Sequence, residues 1–253
     1  MPGIFISEGM QLRIPAGGLT IGIGPNGGPD LPPVRFEVAL DVWPFWLDVA
    51  IDHASSALEV RKELTEAVRV AGEENVDGTV KGDLLAGECK AGMVAIAASA
   101  FALDNFYAVI QRFTPAGVEL EARFEVARTA RHRRVSETIR RTFAIPNPSA
   151  RRLHKSVREV FRFRDWAVHP PAGFREPAKH DFLDVGVEWR FLAFRAGNAV
   201  VATRAAASII DECMNSPRKS NERLVAWCEG HRGRSQARYD RVKEELGAET
   251  ITG

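Results

Sequence analysis

The feature that most constrains the fold is punctuation. Proline and glycine fall in clusters, at Thr114-Pro115-Ala116-Gly117, Ile145-Pro146-Asn147-Pro148, Pro170-Pro171 and Ser216-Pro217, and the stretches between them carry apolar residues at helical spacing. Proline lacks a backbone donor and clashes with the turn before it, so a helix stops ahead of it unless it sits in the first turn. The spacing predicts helices over 37–69, 83–113, 119–143, 150–168, 189–214 and 221–246. Gly72 to Gly82 separates the first two, Pro44 belongs in a first turn or at a kink, and Ser149 offers an N-cap hydroxyl to the fourth.

Residues 1–35 read differently, with short β-forming runs such as Ile4-Phe5-Ile6 and Gln11-Leu12-Arg13-Ile14 set between Gly and Pro, which predicts a small hairpin or meander. The segment 171–187 is expected to be irregular, with Val185 to Phe194 extended in part. The expected fold is therefore all-α: an up-and-down helical bundle over 36–215, a β-rich segment at 1–35 and a C-terminal helical extension at 216–253. With 253 residues, 45% of them hydrophobic, the chain is long enough to bury one substantial core. Gly22-Ile23-Gly24-Pro25-Asn26-Gly27 has the letters of a dinucleotide-binding glycine motif, but the surrounding prolines prevent a helix from opening on the last glycine.

Several classes are set aside by composition. The apolar stretch Ala91 to Leu103 reads as the close-packed centre of a bundle and is too short to cross a bilayer, and Met1 to Ile6 lacks the basic and apolar regions of a secretory signal. The three cysteines are odd in number and show no Cys-x2-Cys spacing, so neither a disulfide framework nor a zinc site is indicated. A cytoplasmic protein without metal, cofactor or membrane partner is the expectation.

Charge is segregated although the formal net charge is only +1. Residues 1–122 hold 8 Lys and Arg against 17 Asp and Glu, whereas residues 123–169 hold 13 against 4. Such a block is the electrostatic footprint of a phosphate-bearing partner such as RNA, and Arg151, Arg152, Lys155, Arg158 and Arg162 are the candidate contacts. A run of arginines also serves as a solvated helix face paired with acidic neighbours, and partners in three dimensions separate the two readings.

The basic block ends on Arg164-Asp165-Trp166-Ala167-Val168-His169-Pro170-Pro171. An Arg-x4-His pattern arises by chance about once in such a chain, and a second match, Arg175 to His180, is interrupted by Pro177. Context distinguishes the first. Leu153, Val157, Val160, Phe161 and Val168 form the apolar seam of the fourth helix, and its spacing lands on Arg164, where an arginine needs a carboxylate, a carbonyl or an anion. His169 precedes Pro170 and is pushed out of the helical region. Asp165 lies four residues before His169, close enough on a helix to orient the imidazole. Asp104 and Tyr107 are polar positions in an apolar helix that a bundle can aim at Arg164.

Arg164-Asp165-x3-His169, at the end of an internal helix of an all-α bundle, resembles the Arg-x4-6-His signature of HEPN domains. The resemblance implies a metal-independent endoribonuclease that cleaves single-stranded RNA, with Arg164 and His169 as catalytic pair and Asp165 positioning them. It also implies a homodimer that completes the site and, as for toxin-like helical nucleases, an inhibitory protein partner. The chemistry suits the residues, because imidazole moves protons near neutrality and guanidinium stabilises charge on a phosphorane-like transition state. The alternatives are a helical module that binds nucleic acid or nucleotide without cutting, and a protein-interaction bundle.

Overall fold

The computed structural model describes residues 36–169, 176–181 and 183–247, and four short strands ahead of them. The chain is mostly helical, in agreement with the all-α expectation. Eight α-helices are found among the described residues: α1 (Trp43–Ala71), α2 (Gly78–Ile110), α3 (Gly117–Val126), α4 (Arg131–Thr142), α5 (Asn147–Val168), α6 (Trp189–Ala193), α7 (Ala196–Asn215) and α8 (Glu222–Leu246). Strands β1 (Ile4–Ser7), β2 (Met10–Arg13) and β5 (Glu37–Leu40) form an antiparallel sheet in the order β1-β2-β5, with Met10 opposite Leu40. The dipeptide strands β3 (Gly22–Ile23) and β4 (Pro29–Asp30) pair with each other, as do β6 (Ala178–Lys179) and β7 (Gly186–Val187). The rest of the glycine motif and Arg175 lie outside the described residues.

Helix α2 is the axis of the fold, packing against α1, α7, α5 and α4, while α8 closes the far side against α7 and α1. Trp43, Phe106, Phe143 and Trp227 meet at the centre, Phe106 lying 6.0 Å from each of the other three ring centroids. Leu224, Cys228, Val242 and Leu246 of α8 belong to the same core as Leu47 and Leu103. The length argument against a membrane span does not hold: by length and composition the helical stretch Gly78–Phe113 could cross a bilayer, with mean hydropathy 1.7 in its most apolar window, of which 56% is buried against the protein's other helices.

Several boundaries differ from expectation, each for a local reason. Glu37–Leu40 is a strand, with Phe36, Val38 and Leu40 exposed on one face, a period of two that ends where Trp43 starts α1 with Pro44 in its first turn. Helix α2 starts earlier than expected, because Asp77 accepts from the amides of Thr79 (2.7 Å) and Val80 (3.3 Å) and so caps a first turn that contains Gly78. The helix expected over 119–143 is broken by Arg128, whose φ of 47° is left-handed. The amides of Thr129 and Arg128 bond back to Phe124 and Glu125, which closes α3 as a Schellman motif usually does with glycine. Helix α5 opens at Asn147 with Pro148 in its first turn and without a side-chain cap, so Ser149 is not the cap.

Candidate functional site

Helices α4 and α5 form an antiparallel hairpin whose turn spans 143–146, with α5 laid on α2 and α4 beside it. On α5 the inward side chains are Leu153, Val157, Val160 and Phe161, all buried. The outward side is a stripe at 4-3-4-3-4 spacing, Arg151, Lys155, Arg158, Arg162, Asp165 and His169, every one of them exposed. Val168 is 51% exposed and does not extend the seam.

Ion pairing divides the basic block. On α4 four of the five arginines are paired with acids from three helices: Arg131 with Asp104 (2.6 Å), Arg134 with Glu121 (3.0 Å), and both Arg140 (2.7 Å) and Arg141 (2.6 Å) with Glu137. On α5 the cations paired among the described residues are Arg162 and Arg164, with Glu159 and Asp165. Arg151, Arg152, Lys155 and Arg158, and Arg133 of α4, have no carboxylate or hydrogen-bond partner among the described residues. Arg152 turns toward α7, in a groove it shares with Glu212 and Ser208.

The Arg164 guanidinium lies 5.2 Å over the Phe161 ring and 3.3 Å from Oδ1 of Asp165. Its buried Nε has no hydrogen-bond partner among the described residues. Asp165 thus engages the arginine, and among the described residues the His169 ring has no hydrogen bond to it. His169 leaves the helical region, at φ −130° and ψ 74°, and its amide donates to the Asp165 carbonyl at 2.7 Å. Asp104 and Tyr107 do not reach Arg164. Asp104 holds Arg131, which stacks 4.4 Å over the Tyr107 ring, and the Tyr107 hydroxyl donates to Glu121 at 2.8 Å. Burial and that bond to a carboxylate push the Tyr107 phenol up to about 12. These two residues lock α2 to α3 and α4.

Sequence reasoning missed a second feature of the hairpin. Ser136 Oγ is 3.0 Å from Nδ1 of His154, and the His132 and His154 rings are 5.6 Å apart. Ser136 and His154 border an open groove of about 710 Å³ between α4 and α5, lined also by Arg133, Arg140, Arg151 and Phe124. Burial, and then the charges of His154 and Arg133, hold the His132 imidazole below its ordinary pKa. The signal was present in the hairpin: residues equidistant from a turn centred at 145 lie side by side, and this pairs Ser136 with His154.

Elsewhere, the buried pair His231 Nε2 to Asp41 Oδ2 (2.9 Å) is enclosed by Trp43 and Trp227 and is structural. Burial opposes ionisation of Asp41, but its hydrogen bonds to His231 and Trp227 hold it below the usual carboxylate range. Among the described residues no group of three or more His, Cys, Asp or Glu could hold a metal ion. Comparison with protein-family models, with curated proteins and with solved structures finds no match.

Proposed function

We propose that the chain binds single-stranded RNA along the outward face of α5. The observation that carries this reading is the split in ion pairing, with Arg151, Lys155 and Arg158 uncompensated among the described residues on one exposed stripe while four of the five arginines of α4 are paired. A solvated face held by intramolecular pairs would be compensated on both helices. From 151 to 162 the stripe is about 16 Å long, enough to follow a short run of phosphates. Binding is measured by fluorescence anisotropy of a labelled single strand across salt concentrations. With three or four cations engaged, log K falls with log salt at a slope of about −2 to −3. Charge reversal at Arg151 and Arg158 lowers the slope, and binding that is absent at low salt or indifferent to salt refutes the reading.

A second reading, metal-independent cleavage by a HEPN-like homodimer, is favoured by the position of His169, exposed at the end of the same stripe and free of the helix. A strand that follows Arg151, Lys155 and Arg158 is led to an imidazole able to move a proton. Arg164, half-buried beside Asp165, supplies the cation, and a second copy of the chain supplies the other pair. Cleavage in EDTA that is lost in His169→Ala supports this reading, whereas equal activity in the two proteins rejects it.

A further inference from the structure

We propose that the groove between α4 and α5 is a binding site for a phosphomonoester carried on a small apolar body. Two guanidinium groups without carboxylate partners among the described residues, Arg133 and Arg151, line it from opposite helices. The one carboxylate in its wall, Glu137, is already spent on Arg140 and Arg141. A monoanion compensates one of the two free cations, whereas a phosphomonoester dianion matches both. Its terminal oxygens outnumber the acceptors of a carboxylate, so a third donor can be used, and His154 provides one. Its Nδ1 lies 3.0 Å from Ser136 Oγ, and a ring whose Nδ1 accepts from that hydroxyl carries a hydrogen on Nε2. Phe124 and Ala150 supply the apolar wall for the body of the ligand.

The site does not depend on the RNA reading, although Arg151 serves both. The test uses the full chain and phenyl phosphate, followed by calorimetry and by the ¹⁵N resonances of His154. Saturable binding that moves Nε2 of His154 is expected, weakened about tenfold in Arg133→Gln or His154→Gln by loss of a charge-assisted hydrogen bond. Arg158→Glu, outside the groove, leaves phenyl phosphate binding intact while lowering RNA affinity, which keeps failure of one proposal distinct from failure of the other. Parallel titrations with 5′-phosphorylated and 5′-hydroxyl strands assign the phosphate: a preference for the former places a strand end in the groove, and equal affinity leaves a free phosphomonoester. Absence of saturable phenyl phosphate binding, or binding unchanged in both groove variants, overturns the proposal.

Discussion

Gly92 sits in the middle of α2, where alanine would ordinarily gain about 1 kcal/mol of helix propensity. A Cβ at that position would lie 1.9 Å from the backbone oxygen of Phe194, at the junction of α6 and α7. That oxygen belongs to main chain and cannot swing away, and one turn earlier Glu88 accepts from the amide of Ala196 at 2.7 Å, fixing the same junction. Overpacking of this kind costs about 1–3 kcal/mol or more, so the clash outweighs the propensity. Gly92→Ala should lower the thermal midpoint, with an unchanged midpoint by differential scanning calorimetry counting against this packing. At the same scale, the arginine interrupting the α5 seam and the histidine leaving the helix before Pro170 were both readable from spacing. The partners of Asp104 and Tyr107 were not, because nothing local says that α4 delivers Arg131 to them before Arg164 can arrive.

Element boundaries were legible wherever proline or glycine marked them and obscure wherever an ordinary residue did the same work. Arg128 and Ala144 occupy the left-handed positions that end α3 and α4, at φ 47° and 54°. Periodicity alone therefore joined α3 to α4. A side chain in that region costs about 1–2 kcal/mol, while glycine costs about 0.5–1 kcal/mol through the unfolded chain. Relief of strain is the larger effect, and Arg128 is exposed and unpaired among the described residues. Arg128→Gly should stabilise the protein by about 0.5–1 kcal/mol in urea unfolding. A loss of stability would mean that the arginine contributes a contact the Schellman geometry does not require. The Ser136–His154 groove is likewise an element-scale property, since each half is an unremarkable residue on its own helix and the hairpin turn brings them together.

For the whole molecule, the charge asymmetry along the chain is only partly cancelled by folding. Acids of α2, α3 and α4 itself pair four of the five arginines of α4, while Arg151, Lys155 and Arg158 on the outward face of α5 have no carboxylate partner among the described residues. Histidine burial adds a response to pH. His180, 4% exposed beside Glu88, Asp181, Arg61 and Arg195, is held below its ordinary pKa chiefly by burial, and so is His132 in the hairpin. For both, the unfolded chain titrates near 6.5 and binds a proton that the folded chain refuses. Stability contributed by these neutral rings is therefore complete above about pH 6.5 and falls as pH drops toward their lowered folded values. Asp211, raised by burial, acts in the opposite sense by accepting a proton before its unfolded counterpart does, but only on approach to the carboxylate range. Below about pH 6.5 and above the carboxylate range the histidines dominate, and the thermal midpoint should decline as pH falls through that window. His180→Gln should flatten the decline even if it lowers the midpoint itself, because it removes a titrating group. A midpoint that rises on acidification, or a slope unchanged in His180→Gln and His132→Gln together, would show that these imidazoles are not held neutral by the fold.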